Sequence, residues 1–230
     1  MEYLPGGYTL NLAEGCFPLS TDSVVLSHFT RLPRNARVLD LGAGCGTLGL
    51  LLCAKDPNCQ VTGIELDPIA HQAALDNIRR NDAAHRMQSI CGDLRMVSEL
   101  LPAEQFDCVI SNPPYFSGGP ASKTLATARR EDTCTCAELF RSASRMIKYG
   151  GDFYVVHRPE RLAELIARGS ENSLEAKRLL LLRHKEGGSI NLVLLQFRKG
   201  GKPGLVWEEA SLYDKNDDPT AFFRSVYHLD

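Results

Sequence analysis

The tetrapeptide Asn112-Pro113-Pro114-Tyr115 follows an apolar run that is typical of a buried strand. Two successive prolines hold the backbone in a rigid, extended form. The side-chain carbonyl of Asn112 and the backbone carbonyl of Pro113 can therefore be held as a pair of hydrogen-bond acceptors. An NH2 group fits between two such acceptors, and Tyr115 offers a flat ring for stacking. We interpret these residues as catalytic; the alternative is a proline turn that only ends the strand.

Asp40 and three glycines, Gly42, Gly44 and Gly46, end another apolar run directly before a helix-like segment. Glycines at such a turn let a ligand approach the backbone, and the helix N-terminus presents free N–H groups. Gly44 and Gly46 also match dinucleotide-binding loops when Gly49 is included. That interpretation places Gly49 inside the helix, and the Asp40 carboxylate would repel a pyrophosphate. A ligand with an ammonium or sulfonium charge suits Asp40 better.

Two further carboxylates follow strand-like runs. Glu65 can accept hydrogen bonds from both ribose hydroxyls of an adenosine, with Asp67 assigned to cap the next helix. Asp93 can accept from an adenine amino group, although an ordinary helix N-cap explains it equally well. The predicted cofactor site consists of Asp40, Gly42, Gly44, Gly46, Glu65, Asp93, Leu94 and Asn112.

The elements that must position these residues alternate along the chain. Strand-like runs cover residues 37–41, 60–66, 87–91, 106–111, 152–156, 176–183 and 191–197, and helix-like segments cover 47–55, 68–81, 133–148 and 159–168. This alternation predicts an α/β fold with a seven-stranded, mostly parallel sheet. The Gly-rich connection 186–189 predicts an antiparallel terminal hairpin. A helix capped by Thr21 or Asp22 and running to about Arg31 should close over the carboxyl ends of the strands.

Length and composition are those of one compact domain. The chain has 230 residues, 43% hydrophobic and 23% charged, which is enough for one sizeable core. We expect residues 1–35 to form a lead and capping helix, and residues 36–230 to form the main domain. No apolar stretch reaches the roughly 18 residues of a membrane span and no leader pattern opens the chain, which predicts a cytoplasmic protein without membrane contact.

The eight cysteines include no CxxC pair and lie mostly in apolar runs. We expect them to be reduced packing residues, and we expect no metal site. The close pair Cys134 and Cys136 lacks the partners that a metal would need.

Basic charge is concentrated in one segment although the net charge of the chain is −2. Residues 141–202 hold 13 Lys and Arg against 6 Asp and Glu, whereas the flanking segments are acidic. Such a segment is either a solvated face or a surface for a polyanion.

Over residues 37–156 the sequence resembles the class I S-adenosylmethionine-dependent methyltransferases, through the loop at Asp40–Gly46 and the tetrapeptide at Asn112–Tyr115. Within that class it further resembles the bacterial tRNA1(Val) adenine-37 N6-methyltransferases. The closer likeness lies in residues 18–26, 128–131, 157–162 and 199–205. It differs from that family in its tail, where residues 213–219 lack the usual glycine.

The resemblance implies a Rossmann-like domain that uses S-adenosylmethionine, releases S-adenosylhomocysteine and methylates N6 of adenine 37 in tRNA. It implies no metal and no obligate protein partner. The catalytic residues would be Asn112, Pro113, Pro114 and Tyr115. The tRNA would contact Tyr115, Arg129, Arg130, Arg158, Arg161, Lys199 and Lys202. For Arg158 and Arg161, salt bridges to Glu160 and Glu164 are an equal alternative.

Four other functions compete with this one. A protein glutamine-N5 methyltransferase uses the same tetrapeptide on a side-chain amide, but carries an additional helical domain. A DNA adenine methyltransferase would need a target-recognition insertion, which we do not find. A non-catalytic S-adenosylmethionine-binding subunit would be expected to lose the active tetrapeptide, which is complete here. A nicotinamide oxidoreductase is the least favoured.

Overall fold

The computed structural model describes residues 2–12, 18–113 and 134–228. The strands in these ranges are β1 (Glu2–Tyr3), β2 (Thr9–Leu10), β3 (Arg37–Leu41), β4 (Gln60–Glu65), β5 (Met87–Cys91), β6 (Phe106–Ser111), β7 (Ile147–His157), β8 (Leu174–Lys185), β9 (Ile190–Lys199) and β10 (Val206–Tyr213). The α-helices are α1 (Thr21–Phe29), α2 (Thr47–Lys55), α3 (Pro68–Arg80), α4 (Val97–Leu100), α5 (Cys136–Met146), α6 (Leu162–Glu171) and α7 (Ala221–Tyr227). Short 3-10 helices cover Pro5–Gly7, Leu94–Met96 and Pro159–Arg161.

The central sheet has the strand order β10-β8-β9-β7-β6-β3-β4-β5. The five strands from β7 to β5 are parallel to one another, whereas β9 is antiparallel to both β7 and β8. The predicted α/β fold with a mostly parallel sheet and an antiparallel hairpin is therefore confirmed. Because parallel strands point the same way, the carboxyl ends of β3 to β7 meet at one edge, which we call the site edge.

The sheet has eight strands in the described part of the chain, and the predicted number of seven is wrong. The additional strand, β10, pairs in parallel with β8 and forms the end of the sheet. Its first residues, including Val206, Trp207 and Glu208, are exposed. An end strand that is covered so little does not need the apolar pattern by which a buried strand is recognised.

Two apolar layers cover the faces of the sheet. One contains α1, α2 and the N-terminal residues, and the other contains α5 and α6. In the second layer, the Phe140 ring meets the rings of Phe153 and Phe197 edge-on, with centroids 5.1 and 5.2 Å apart. Such contacts add to the burial free energy and give the sheet that carries the site edge a closely packed support.

Helix α1 is capped by Ser20, whose hydroxyl accepts from the Ser23 N–H, and the predicted caps Thr21 and Asp22 lie in the first turn. The first turn reaches the site edge, where Ser23 contacts Asn112, and Val24, Val25, Leu26 and Phe29 of α1 pack in the first apolar layer. At its other end, the Lys55 amine donates to the Ser27 and Thr30 carbonyls at 2.9 and 2.5 Å. Both ends of α1 are therefore fixed.

Within residues 2–12, 18–113 and 134–228, none of the helices combines the length and the apolar character of a membrane span. The division of the chain at residue 35 stays a prediction.

Candidate active site

The glycine loop turns sharply at the site edge. The N–H groups of Gly42 and Ala43 both donate to the Ile64 carbonyl at 3.0 Å, which fixes the loop against β4. Gly42, Gly44 and Gly46 all have positive φ angles, between +55° and +84°. A Cβ atom at Gly42 or Gly44 would meet no other atom within 4 Å. The loop backbone therefore faces open space in which a ligand can lie.

Gly49, by contrast, faces the protein interior. A Cβ atom there would lie 2.4 Å from Met87 Cε. This glycine allows α2 to pack closely on the sheet, which explains it without a dinucleotide.

Glu65 ends β4 beside the glycine loop, as predicted. Its carboxylate accepts from the Gly44 N–H at 2.7 Å and from the Asp67 N–H at 2.8 Å. Asp67 in turn caps α3 by accepting from the Ile69 N–H. A carboxylate has about four acceptor positions, so two backbone bonds orient Glu65 and still allow it to accept from a ligand hydroxyl.

Asp40 is a buried carboxyl group, and only 1% of the residue is exposed. Among the residues that the structure describes, none donates a hydrogen bond to either of its side-chain oxygens. Burial, and then the nearby charge of Glu65, raise the pKa of Asp40 to about 8. An unpartnered carboxyl group under the open loop fits a ligand that brings a positive charge, because a cation would stabilise its ionised form.

Asp93 lies after β5 and caps the 3-10 helix Leu94–Met96. Its carboxylate accepts from the Arg95 N–H at 2.8 Å and pairs with the Arg95 guanidinium. This hydrogen bond to Arg95 lowers the pKa of Asp93. The N-cap interpretation is therefore confirmed, whereas the contact of Asp93 and Leu94 with a cofactor stays a prediction.

Two exposed apolar residues, which were not among the predicted site residues, follow Glu65. Leu66, between the carboxylates of Glu65 and Asp67, is 44% exposed, and Ile69 is 61% exposed.

Asn112 and Pro113 directly follow β6. The Ser111 hydroxyl donates to the Leu41 carbonyl at 2.7 Å, which ties the end of β6 to the end of β3. The Asn112 amide nitrogen donates to the Ser23 hydroxyl at 3.0 Å. Since Asp40 is paired with Ile110 and side chains alternate along a strand, Asn112 and Asp40 face the same side of the sheet. Pro114, Tyr115, Arg129 and Arg130 lie outside the described residues.

The structure separates the basic residues that were assigned to RNA. Arg158 and Arg161 follow β7 at the site edge, and Arg161 forms the alternative salt bridge, with Glu164, at 2.9 Å. Lys199 ends β9 at the opposite edge, because β9 runs antiparallel to β7. Its amine donates to Glu104 and to the carbonyls of Ser144 and Ile147 at 2.7 to 3.0 Å.

Lys199 is therefore a structural residue, and its assignment to the RNA surface is corrected. Lys202 is exposed but lies in the connection that follows Lys199, so the structure does not bring it to the site either.

The buried residue Asn77 connects the glycine loop to the N-terminal segment. It is 0% exposed, and its amide nitrogen donates to the carbonyls of Cys45 and Asn11 at 3.0 and 2.9 Å. Its amide oxygen accepts from the Asn11 N–H at 2.8 Å. One turn later, Asn81 makes the same pair of bonds with Thr9. Neither asparagine was among the predicted site residues, although their spacing of one turn at a partly buried helix was a signal.

We expect Asn77→Ala to weaken S-adenosylmethionine binding, because it frees the Cys45 carbonyl and loosens the loop. The free energy of unfolding should fall by about 1–3 kcal/mol, since buried backbone groups lose their partner. Asn81→Ala is the matched control, as it loses bonds to the N-terminal segment but none to the loop. Titration calorimetry and thermal unfolding of both variants check this. Equal ligand affinities in the two variants would contradict the role of Asn77.

No group of three metal-ligating side chains occurs within the described ranges. Burial raises the pKa values of the Cys134 and Cys136 thiols to about 12. Thiols of this kind are poor nucleophiles and poor metal ligands at neutral pH.

Comparison with known proteins places this site in a family. Residues 20–170 match the methyltransferase small domain family. A tRNA1(Val) (adenine(37)-N6)-methyltransferase of Bacteroides fragilis is 30% identical over 215 residues, covering 91% of this chain and 90% of that protein.

Two solved structures share the fold. A predicted O-methyltransferase from Agrobacterium tumefaciens is similar with a TM-score of 0.76 and 23% identity, over 90% of this chain and 96% of that one. A geranyl diphosphate C-methyltransferase from Streptomyces coelicolor, crystallised with S-adenosyl-L-homocysteine, has a TM-score of 0.58 and 12% identity, over 77% and 79% of the two chains. The chain thus belongs to the methyltransferase small domain family, and its methyl donor is S-adenosylmethionine.

Proposed function

We propose that this protein methylates N6 of adenine 37 in the anticodon loop of tRNA1(Val). The observation that carries this proposal is the position of Asn112. Its side chain lies on the same side of the sheet as Asp40, and its amide nitrogen is held by the Ser23 hydroxyl. The name of the Bacteroides fragilis relative supplies the substrate.

The residues present fit the methyl donor. Asp40 is suited to a cationic group, the glycine loop leaves room above its backbone, and Glu65 can accept from ribose hydroxyls. S-Adenosylmethionine supplies a methyl group on a positively charged sulfur, and that charge disappears on transfer. The protein therefore has to orient a nucleophile and does not need a strong general base.

Asn112 and Pro113 provide this orientation. The amide oxygen of Asn112 and the carbonyl oxygen of Pro113 each accept one N–H of the adenine amino group. The amino group then turns out of conjugation with the ring, and its lone pair becomes available. The two oxygens also stabilise the positive charge that develops on the nitrogen. The proton leaves to water afterwards. Tyr115 stacks on the base in this proposal.

The proposed partner is tRNA in the cytoplasm. A loop base is already unpaired, which lowers the cost of moving it into a pocket. Arg158 and Arg161 lie at the site edge where phosphates of the loop would approach, and phosphate contacts give affinity without sequence information. Arg129 and Arg130 follow the active tetrapeptide in sequence and complete the proposed surface.

The test is methylation of purified tRNA1(Val) transcripts, followed by mass spectrometry of the nucleosides. We expect N6-methyladenosine with the natural transcript and none with a transcript that carries guanine at position 37. Methylation of both transcripts would contradict the assigned position. Modification of a release-factor glutamine instead would support the glutamine-N5 methyltransferase, and no transfer to any of these would support a non-catalytic subunit.

A further inference from the structure

The first turn of α1 contacts the proposed catalytic tetrapeptide. Ser23 is 7% exposed, and its hydroxyl oxygen accepts the bond from the Asn112 amide nitrogen at 3.0 Å. These two residues are 89 positions apart in sequence. Residues 18–26 carry part of the family likeness, but none of the roles in methylation described above belongs to them.

A second hydroxyl fixes Ser23 in place. The Ser20 hydroxyl oxygen accepts from the Ser23 N–H as the helix cap, and its own O–H donates to the Ser23 hydroxyl, both at 3.3 Å. Because Lys55 binds the other end of α1, the helix cannot easily shift away from Asn112. The contact is therefore made by a preorganised group.

The orientation of an asparagine amide decides what it can do for an amino group. Its oxygen accepts hydrogen bonds, whereas its nitrogen only donates. In the structure the amide nitrogen is occupied by the Ser23 hydroxyl, which leaves the amide oxygen available for the substrate amine. Because a serine hydroxyl can both donate and accept, the role of Ser23 is to fix where the Asn112 side chain lies.

We propose that Ser23 is a positioning residue that fixes the Asn112 side chain at the end of β6, where its amide oxygen can accept from the substrate amine. This inference rests on the proposed function, because it concerns the acceptor that the methylation needs. Ser23 touches neither the reacting nitrogen nor the methyl group; it acts through Asn112.

The experiment measures single-turnover methylation of tRNA1(Val) by Ser23→Ala, with Ser27→Ala as the matched control. Ser27 lies one turn further on the same helix and is buried to a similar degree, at 5% exposure. We expect the rate with saturating tRNA to fall about 10- to 100-fold in Ser23→Ala, the size of effect that a misplaced catalytic group produces. The affinity for S-adenosylmethionine should stay within about twofold of the control. Ser23→Thr, which keeps the hydroxyl, should restore most of the rate.

A second background separates positioning of Asn112 from general stability. In Asn112→Ala the group that Ser23 holds is absent. Ser23→Ala should then lower the single-turnover rate by less than about threefold in the Asn112→Ala protein. Equal costs in the two backgrounds, or equal rates in Ser23→Ala and Ser27→Ala, overturn the proposal. If the unmodified protein does not methylate the tRNA, the proposed function fails and this inference falls with it.

Discussion

Asn112→Ala is expected to lower the turnover of tRNA methylation by about a thousandfold, while the affinity for S-adenosylmethionine stays within a few-fold. The substitution removes one of the two oxygens that hold the substrate amine and stabilise its developing charge, and loss of one such group typically costs about 10²–10³ in rate. The glycine loop, Asp40 and Glu65 are untouched, because Asn112 forms its bond with Ser23 in α1. Single-turnover rates and calorimetric titration with S-adenosylmethionine measure the two effects separately.

Asn58→Ala is the matched control for this variant. Asn58 is an exposed asparagine in the turn before β4, at the edge of the sheet opposite the site. It should retain the full rate. Unchanged turnover in Asn112→Ala would contradict the proposed mechanism. A large loss of affinity for S-adenosylmethionine would show that Asn112 mainly binds the methyl donor.

The parallel part of the fold could be predicted because its strands are buried on both faces. Most residues of β3, β4 and β6 are buried; β4 and β6 end in Glu65 and Ser111 at the site edge, and Gly42 follows β3 there. Burial leaves a pattern in sequence that a solvent-exposed end strand such as β10 does not leave.

The assignment of Lys199 failed for a reason that lies in strand direction. A count of basic charge along the chain does not tell at which edge of the sheet each residue emerges. The predicted hairpin already implied that its second strand returns to the opposite edge, where Lys199 binds Glu104 and two carbonyls. Charge patterns become informative only after the direction of each strand is included.

Contacts between distant parts of the chain explain what else was missed. Asn77 meets a loop 32 positions earlier in sequence, and Asn112 meets Ser23 across 89 positions. Neither partner can be identified from local spacing. Buried polar residues on helices are nevertheless a signal, because each must find a hydrogen-bond partner. Such residues near a motif are candidates for positioning it.

Binding of S-adenosylmethionine at pH 7 is expected to release a proton from Asp40. The pKa of this carboxyl group is about 8 in the free protein, so it is mostly protonated at pH 7. A bound cation stabilises the ionised form, and the proton leaves on binding. The affinity of the unmodified protein should therefore rise as the pH increases toward about 8 and then level off. Calorimetry in two buffers of different ionisation enthalpy counts the released protons.

Asp40→Asn should bind S-adenosylmethionine about 10- to 100-fold more weakly, the range expected when a charge-assisted contact of about 1.5–3 kcal/mol is lost. Any proton that is still released when Asp40→Asn binds the ligand comes from the ligand itself. Subtracting it from the number released by the unmodified protein gives the contribution of Asp40. Asp67→Asn is the control, because asparagine can still cap α3 and the carboxylate at position 67 caps a helix rather than lying under the loop. Identical proton release by the unmodified protein and Asp40→Asn would refute the assignment of Asp40.

The same raised pKa has a consequence for stability without ligand. An unfolded Asp40 titrates near 3.8 and the folded one near 8, so the folded state binds the additional proton between these values. The contribution of this carboxyl group to the free energy of unfolding is fully present below about pH 4 and is lost as the pH rises through about 8. Asp40→Asn carries no such group, so the melting temperature of the unmodified protein should fall relative to that of the variant from pH 5 to about pH 8. Saturation with S-adenosylmethionine should reverse the order at pH 8, because only the aspartate can pair with the bound cation.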